Sequence, residues 1–464
     1  MVLYNDIKNQ LPPEFPEDFK KSNRNQFLDR NFTIIVLDDD PTGTQTIYDV
    51  PVLTSWGEDE LVSELKSKTP LFFILTNSRS LTAKYANALA IEIGQNINHA
   101  SQKTGRKTIV ISRGDSTLRG HYPNEVNALG KGLNIPDAPH ILIPAFFEGG
   151  RHTVNDVHYV REENELIPVA ETPFAKDSTF GYRSSDLKDY VEEKTKGRIK
   201  SEEVISISLN TVRKGGPANV AEILNSLEKK KVCIVNAFSQ GDLDVFTAGF
   251  YQSSESNEPI LFRTAASIVP SLAGLPVKPP LQKQEFKLSG KGGVVAVGSY
   301  VPKTSKQLEY LRENYPVEYI EIQAKKLLNN KDFQTEIKRV AEKINFNLKN
   351  NQVVVVYTSR QLIKGKNAEE SLRIVNRISA GMVSVMHKIE IRPQFFIAKG
   401  GITSSDIVTK SFGVKKATVL GQVIPGVPVW QLNDCKQFPG LVYMPFPGNL
   451  GGDDAILQAI NKLT

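Results

Sequence analysis

Short, almost continuous runs of apolar residues alternate along the chain with longer segments in which apolar and polar residues recur at helical spacing. In the first half, the β-branched and apolar runs predict strands at residues 32–37, 71–75, 108–112, 140–144 and 232–236. Runs such as TIIVL and LFFIL have no polar face, which is typical of parallel strands buried on both sides. Amphipathic segments between them predict helices, most clearly at 83–101 and 124–131. This alternation indicates an α/β fold.

The alternation stops between residues 270 and 292, where prolines, glycines and lysines predominate. Such a composition sustains neither a helix nor a central strand, so it predicts a linker. Apolar runs then resume at GGVVAVGS, VEYIEI, QVVVVYTS and QFFIAKG, with helices predicted at 304–314, 331–349 and 369–388. We therefore expect an N-terminal extension over residues 1–30, a first domain over 31–269, a linker over 270–292 and a second domain over 293–464. Each domain is expected to hold a mostly parallel sheet flanked by helices.

Composition and charge agree with this picture and exclude several classes of protein. Of the 464 residues, 40% are hydrophobic and 23% are charged, which is ordinary for globular proteins and excludes disordered and fibrous chains. The net charge of +6 is too dilute to indicate nucleic-acid binding. No apolar run approaches the roughly 20 residues of a membrane helix, and residues 1–25 lack the apolar core of a signal peptide. Two cysteines, Cys233 and Cys435, can build neither a disulfide framework nor a Cys-rich metal site. We expect a soluble, cytoplasmic protein without a nucleic-acid or membrane partner.

The common catalytic signatures are missing from the sequence. Gly-Lys is never followed by Ser or Thr, so there is no Walker P-loop. A G-x-G-x-x-G after a strand, a G-x-S-x-G elbow, an H-E-x-x-H and a protein-kinase H-R-D set are also absent. The candidates for chemistry are instead polar clusters that directly follow predicted strands, where α/β proteins bind their ligands.

The first cluster is LDDDPTGTQT, which places Asp38, Asp39 and Asp40 at the end of a strand. Adjacent carboxylates repel each other unless a cation, a substrate hydroxyl or backbone N–H groups stabilise them, which favours a functional site. The alternative is a polar turn that begins at Asp40-Pro41 and uses Gly43 at a positive φ.

The second cluster, SRGDSTLRGHYPNEVNAL, also follows a strand and precedes a helix. Guanidinium groups beside hydroxyls and a helix N-terminus suit a carboxylate or a phosphate. The alternative is a surface Asp115–Arg119 pair that caps the helix, and a histidine by itself is more often structural. The candidate residues are Arg113, Asp115, Ser116, Thr117, Arg119 and His121.

A third cluster, PAFFEGGRHTVNDVHYV, places Glu148, Arg151 and His152 around a Gly149-Gly150 turn. Glycines at such a turn let the backbone approach a ligand closely. The segment is either a substrate loop or a lid over the site, and the pattern does not distinguish the two.

Two glycine-rich clusters follow strands in the second half. KGGITSSD offers backbone N–H groups, hydroxyls and a helix N-terminus to a phosphate, although a plain N-cap explains its Ser and Thr residues equally well. PFPGNLGGDDAI repeats this design from Gly448 to Gly452. Its Asp453 and Asp454 would repel a phosphate unless Mg²⁺ intervened.

In their order along the chain, DDDPTGTQT, SRGDSTLRGH, KGGITSS and PGNLGGDD resemble the motifs of the four-carbon acid sugar kinases. In that family an N-terminal domain binds the sugar acid, a C-terminal domain binds the nucleotide, and members phosphorylate threonate, erythronate or 3-oxo-tetronate with ATP. The resemblance implies a sugar-acid kinase that uses ATP as its Mg²⁺ complex, with the active site in the interdomain cleft. It leaves open whether the protein forms a homodimer.

By this resemblance, the nucleotide is held by a G-S motif at Ser299, a G-G-x-T loop and a G-N-x-G loop. Ile402 stands where the family often has an acid, and DPTGTQT differs from the commoner form of the first motif. These departures leave the identity of the sugar acid open. The nucleotide-binding residues so implied are Ser299, Gly400, Gly401, Ile402, Thr403 and Gly448.

The two motifs of the first domain supply the expected catalytic and substrate-binding groups. We expect Asp39 to act as general base or to orient the acceptor hydroxyl, with Asp38 supporting it or a metal and Asp115 as the next candidate. Arg119 is expected to clamp the carboxylate of the substrate. No metal ligand is assigned. The predicted substrate-binding residues are Thr42, Arg113, Ser116, Thr117, Arg119, His121 and Arg151.

Two other functions remain open from the sequence. The acid cluster could serve a metal-dependent sugar-acid aldolase or isomerase, and the fold could belong to a non-catalytic protein that binds a sugar acid or a nucleotide. A kinase predicts ADP and a phosphorylated acid, an aldolase or isomerase predicts turnover without ATP, and a binding protein predicts no turnover.

Overall fold

The computed structural model describes residues 2–253, 259–276, 278–361, 363, 365–366 and 368–464. The chain divides into two compact units, the first formed by Met1–Ile47 and Ser55–Val277 and the second by Tyr48–Thr54 and Lys278–Thr464. Residues 1 and 277, which belong to the predicted extension and linker, lie outside the described residues.

The regular elements up to residue 276 follow each other as strands and helices in near alternation. They are β1 (Val2–Leu3), α1 (Tyr4–Gln10), α2 (Lys20–Asp29), β2 (Thr33–Asp38), β3 (Val50–Leu53), α3 (Glu58–Lys66), β4 (Leu71–Leu75), α4 (Ala83–Thr104), β5 (Thr108–Arg113), α5 (Asn124–Gly132), β6 (His140–Ile143), β7 (Arg151–Val154), β8 (Val157–Glu162), β9 (Glu165–Pro168), α6 (Leu187–Lys194), β10 (Ile205–Ile207), α7 (Gly216–Asn225), β11 (Val232–Val235), α8 (Gln240–Ser253), β12 (Leu261–Thr264) and α9 (Ile268–Leu272).

The remaining elements begin after the predicted linker. They are β13 (Gly293–Val297), α10 (Pro302–Asn314), β14 (Glu318–Ile322), α11 (Ala324–Leu328), α12 (Asn330–Lys349), β15 (Val353–Thr358), α13 (Ala368–His387), β16 (Phe395–Lys399), α14 (Gly401–Asp406), β17 (Lys416–Ile424), β18 (Val427–Leu432), β19 (Leu441–Phe446) and α15 (Ala455–Asn461).

The first unit is built on a parallel sheet with the strand order β10-β11-β6-β12-β5-β2-β4. Every residue of β2, β4, β6, β11 and β12 is buried, as expected for strands with apolar residues on both faces. In register, Asp38 at the end of β2 lies opposite Arg113 at the end of β5. The strand ends therefore bring acidic and basic residues to one edge of the sheet. A second, antiparallel sheet in this unit has the order β1-β9-β8-β7.

The second unit has a mixed sheet. Strands β19, β16, β13, β15 and β14 are parallel in that order, and β3, β17, β18 and β19 pair antiparallel. A buried core on this sheet includes Val295, Ile397, Met444 and Ile456. Of the strands in this sheet, β13, β16 and β19 end at the glycine-rich motifs.

The expected α/β fold with mostly parallel sheets flanked by helices is confirmed. Two details differ from the predicted boundaries. Residues 48–54 belong to the second unit, where β3 pairs antiparallel with β17. The predicted extension is part of the first unit: Phe27 is 1% exposed, and Asn23 Nδ2 donates to the Asp244 carbonyl at 2.9 Å. Both depend on contacts between distant residues, which a local pattern does not show.

Both cysteines are buried and free. Within the described part of the chain, no helix is long and apolar enough to cross a membrane.

Candidate functional site

Asp38 lies under a turn at the carboxyl edge of the first sheet. Its Oδ1 accepts a hydrogen bond from Arg113 Nη1 at 3.1 Å, while its buried Oδ2 has no partner among the described residues. Burial raises the pKa of Asp38 to about 7, although Arg113 lowers it. A Cβ at Gly43 would lie 2.0 Å from Oδ2, so the turn over Pro41–Gly43 closes on this carboxyl only because residue 43 is a glycine.

Asp39 is a buried carboxyl without a hydrogen bond. It is 2% exposed, and neither of its oxygens has a hydrogen-bond partner among the described residues. Three arginines lie at longer range: Arg79 at 3.5 Å, and Arg113 and Arg263 at 4.0 Å. Burial raises the pKa of Asp39, and the arginines oppose this shift. Because buried polar atoms are nearly always hydrogen-bonded, Asp39 has acceptor capacity for a donor that the described part of the chain does not supply.

Arg79 links the acids of this edge, and the sequence analysis missed it. It lies in a 3₁₀ turn, Ser78–Ser80, that follows β4. Its Nη2 is 2.6 Å from Asp40 and its Nη1 is 3.4 Å from Asp115. Burial lowers its pKa, but the surrounding acids raise the pKa of Arg79 above its ordinary value. Arg79 also comes directly after a strand, so the rule that identified Asp38 would have found it.

Arg263 was missed for another reason, because β12 was not predicted as a strand. Its Nη1 donates to Ser112 Oγ at 3.0 Å and to Glu125 Oε2 at 3.2 Å. Cβ atoms at Gly114 and Gly120 would lie 2.1 and 2.7 Å from its guanidinium. The two glycines of SRGDSTLRG therefore make room for a buried arginine.

Asp115 is already paired inside the protein. Its Oδ2 accepts from Arg119 Nε at 2.7 Å and from the Thr117 hydroxyl. Burial alone would raise the pKa of Asp115, but Arg119 and Arg79 lower it below its ordinary value. The Asp115–Arg119 pair expected as an alternative exists, and its side chains are only 12% and 23% exposed. It is therefore part of the buried cluster rather than a surface pair.

Three other predicted residues make contacts within the protein. The Thr42 backbone N–H and hydroxyl both donate to Asp40 Oδ1, at 2.8 and 2.6 Å, and so shape the turn. The Ser116 carbonyl lies 2.8 Å from His158 Nε2. His121 Nε2 lies 3.2 and 3.1 Å from the carbonyls of Ser78 and Leu81, which commits this nitrogen to the turn that carries Arg79.

Arg151 differs from the other arginines of the cluster. Arg79, Arg113, Arg119 and Arg263 each have a carboxylate within 3.2 Å, whereas no carboxylate among the described residues lies within 4.0 Å of Arg151. Its buried Nε has no hydrogen-bond partner among the described residues. Arg151 and Arg119 lie over the same ring, Phe174, at 5.9 and 5.1 Å. Burial lowers the pKa of Arg151, so an anion from outside would stabilise its charge.

The glycine-rich motifs of the second unit are tied together at the ends of three strands. The backbone N–H groups of Gly298 and Ser299 donate to the Lys399 carbonyl at 3.2 and 3.3 Å, and Gly400 N–H donates to the Phe446 carbonyl at 2.9 Å. Lys399 Nζ is buried and donates to the Pro447 carbonyl at 2.6 Å. Burial lowers the pKa of Lys399 well below its ordinary value.

These loops are packed so closely that side chains would not fit. A Cβ at Gly448 would lie 2.9 Å from Ser299 Oγ, and one at Gly298 would lie 2.0 Å from Thr403 Oγ1. Gly400 has φ 116°, a conformation that L residues rarely adopt. Arg360, which the sequence analysis missed, donates from Nη1 to the Ser299 carbonyl at 2.6 Å. The predicted nucleotide residues therefore form one cluster.

A cavity of about 230 Å³ lies beside these loops. One side is formed by glycines and hydroxyl-bearing residues of the loops, and the other by mainly apolar side chains, a combination common in ligand sites. Asp453 and Asp454 do not line it, and no group of three or more His, Cys, Asp or Glu in the described residues could hold a metal ion. The lining residues are Gly298, Ser299, Tyr300, Thr358, Val375, Ile378, Ser379, Met382, Gly400, Gly401, Ile402 and Thr403.

One domain carries charged side chains at its strand ends, and the other carries glycine-rich loops around a cavity. Residues 34–272 match the family model of a sugar-binding N-terminal domain, and residues 294–456 match that of a nucleotide-binding C-terminal domain. The chain therefore belongs to the family that has the two-domain architecture of the four-carbon acid sugar kinases, which confirms the resemblance seen in the motifs.

Solved structures share the fold at low sequence identity. A Haemophilus influenzae protein assigned to a domain family of unknown function is 19% identical, with a TM-score of 0.60 over 93% of this chain and 100% of its own. A Salmonella typhimurium protein named as a candidate tRNA synthase is 17% identical, with a TM-score of 0.67 over 93% of this chain and 100% of its own. No curated protein matched the sequence. These likenesses establish the fold and leave the reaction to be argued from the site.

Proposed function

We propose that the protein transfers the γ-phosphoryl group of ATP to a hydroxyl of a small sugar acid of the threonate, erythronate or 3-oxo-tetronate type. The observation that carries this proposal is Asp39, a buried carboxyl in a domain that matches a sugar-binding family. Within the part of the chain that the structure describes, neither of its oxygens has a hydrogen-bond donor. A substrate hydroxyl is a donor that would satisfy it. The matched nucleotide-binding domain supplies the second requirement of a kinase.

Arg151 is the best-placed group to bind the carboxylate of the acid. Of the cluster arginines, it is the one without an acidic partner among the residues that the structure describes, and a guanidinium binds a carboxylate through two parallel hydrogen bonds. Arg119 was expected to make this contact, but its Nε is committed to Asp115 at 2.7 Å. In the proposal Arg119 keeps a supporting role beside Arg151 over the Phe174 ring.

Asp39 orients the acceptor hydroxyl and accepts its proton as the phosphoryl group transfers. A loose phosphoryl-transfer transition state requires only a weak base, so positioning matters more than basicity. Asp38, hydrogen-bonded to Arg113, supports Asp39 from the same strand end, and Arg79 links Asp39 to Asp115. These ion pairs fix the orientation of the acids before substrate binds.

The phosphates of ATP are held by the loops around Ser299, Gly400–Thr403 and Gly448. The N–H groups of Gly401, Ile402 and Thr403 lie in the first turn of α14, and backbone N–H groups at the start of a helix attract anions. Mg²⁺ enters with the nucleotide and neutralises the charge that develops on the phosphates. A kinase of this kind works in the cytoplasm, where ATP is available.

The direct test is ADP release by the full chain with a panel of C4 to C6 sugar acids. We expect acid-dependent ADP formation that Asp39→Asn reduces and that the control Asp156→Asn retains, since Asp156 is hydrogen-bonded to Ser206 away from the cluster. Turnover of an acid without ATP would indicate an aldolase or isomerase, and binding without turnover would indicate a sensor. Either outcome contradicts the proposal. Light scattering of the same preparation tests the homodimer.

A further inference from the structure

The apolar side of the nucleotide cavity is a stripe on one helix. Val375, Ile378, Ser379 and Met382 of α13 line the cavity at the i, i+3, i+4 and i+7 spacing of a single helix face. Among the described residues, no charged side chain lines this side. The phosphates belong at the glycine loops, so the stripe is the surface that the uncharged base would contact.

Ser379 is the polar residue of this stripe, and its hydroxyl proton is already donated in a hydrogen bond. Its hydroxyl donates to Asp406 Oδ2 at 2.5 Å. Asp406 Oδ1 lies 2.7 Å from the ammonium of Lys410. Both oxygens of Asp406 therefore face donors, and a carboxylate can only accept hydrogen bonds. A serine hydroxyl has a single proton, so Ser379 offers only lone pairs to the cavity.

We propose that Ser379, fixed by Asp406, makes the cavity selective for adenine over guanine. Adenine carries an amino group at position 6, whereas guanine carries a carbonyl oxygen there. The amino group can donate to Ser379, while the guanine oxygen would face a second acceptor with no proton between them. This inference rests on the proposed nucleotide site.

Thr358 is a second polar residue that could contact the base, but it does not distinguish adenine from guanine. It is buried and lines the cavity, and its hydroxyl has no hydrogen-bond partner among the described residues. A free hydroxyl can rotate and donate to a ring nitrogen, and both purines present such an acceptor at N7. The choice between the bases therefore falls to Ser379.

The test is calorimetric binding of ATP and GTP to the full chain, which does not depend on turnover. We expect the wild type to bind ATP at least tenfold more tightly than GTP, because a buried acceptor left unpaired loses about one decade or more in affinity. Ser379→Ala should bring the two affinities within about threefold of each other, because it removes the acceptor that separates them. Ser384→Ala is the matched control: it lies on the same helix, donates to the Ala380 carbonyl and does not line the cavity.

A second variant tests the direction of the hydrogen bond. In Asp406→Asn, Lys410 holds the amide oxygen on its own side, so the amide nitrogen faces Ser379 and donates to it. The Ser379 proton is then free to point into the cavity, and preference should shift toward GTP beyond that of Ser379→Ala.

The outcomes separate this inference from the proposed function. An unchanged ATP-to-GTP ratio in Ser379→Ala, or equal affinities in the wild type, overturns the selectivity while leaving the nucleotide site in place. Binding of neither nucleotide overturns the nucleotide site itself and the inference with it.

Discussion

The two candidate sites handle charge in opposite ways. In the first unit, acids and arginines are packed together at the ends of β2 and β5, and Asp39 lies within 4.0 Å of three guanidinium groups. In the second unit, the cavity is lined by glycines, hydroxyls and apolar side chains. The buried Nζ of Lys399 there donates to the Pro447 carbonyl. One site is built from side-chain charge and the other from backbone.

This difference matches what each ligand would require. A small sugar acid has few atoms, so its recognition needs directional contacts to charged side chains. A nucleotide has several phosphate oxygens, which backbone N–H groups can bind without any charged residue. We therefore expect substitutions that remove a charge at constant shape to impair the first site most. Substitutions that add side-chain volume should impair the second site most.

The largest effect is expected at Asp39. Asp39→Asn keeps the shape and removes the charge, so kcat should fall by roughly a hundredfold or more with little change in either KM. Steady-state kinetics of ADP release measure this. A near wild-type kcat would show that Asp39 neither orients the acceptor hydroxyl nor accepts its proton, and Asp115 would become the next candidate.

Asp38 should make stability depend on pH. The folded state keeps its proton up to a pKa of about 7, whereas an unfolded aspartate releases it near 3.8. The stability from this group is full below the unfolded pKa and is lost as the pH rises through 7. Between pH 5 and 8 the free energy of unfolding should fall by about 2–3 kcal/mol more in the wild type than in Asp38→Asn. Parallel urea-unfolding profiles of the two proteins would contradict the raised pKa.

In the second site, a side chain added to the glycine-rich loop should weaken ATP binding through its volume and its charge. Gly401→Asp places a carboxylate against the cavity and should weaken ATP binding by roughly thirtyfold, or about 2 kcal/mol, while sugar-acid binding stays intact. Calorimetry with each ligand measures both effects. Gly413→Asp is the control: it adds the same carboxylate outside the cavity, nothing lies within 4 Å of a Cβ there, and aspartate tolerates its φ of 61° better than most residues do. Unchanged ATP affinity in Gly401→Asp would refute the loop assignment.

The smallest of these effects tells whether Arg151 or Arg119 binds the carboxylate of the acid. Arg151→Lys keeps the charge and loses the paired hydrogen bonds, so KM for the acid should rise about tenfold with KM for ATP unchanged. Arg161→Lys, on the adjacent strand and over the Tyr4 ring, is the matched control. If Arg119→Lys raised KM for the acid and Arg151→Lys did not, the carboxylate would belong to Arg119.

Local sequence patterns predicted the strands that are buried on both faces of the sheet. Strands β2 and β4 are continuous apolar runs, and the structure places them within a residue of the predicted positions. Strand β12 was missed because its sequence LFRT contains a charged residue. Arg263 is buried there beside Ser112, Glu125 and Asp39, which offset its charge. These partners are more than 130 positions away from Arg263 in the sequence, so the local sequence around β12 does not show that the arginine can be buried.

The candidate site follows the same rule. Asp38, Asp39 and Asp115 were identified because polar residues after buried strands are visible in the sequence. Which of the arginines lacks an acidic partner could not be predicted, because every pairing in the cluster depends on the folded chain. Ser379 shows this most clearly: its helical spacing is readable, but its acceptor role depends on Asp406 and Lys410.

In the proposed reaction, one chain binds a sugar acid and a nucleotide and joins a phosphate to the acid. Phosphorus NMR of a reaction with ATP, Mg²⁺ and the most active acid of the panel tests it directly. We predict one new phosphate ester on the acid for every ADP formed, and neither product in Asp39→Asn over the same period. ADP accompanied by inorganic phosphate alone, with no ester, would contradict the account.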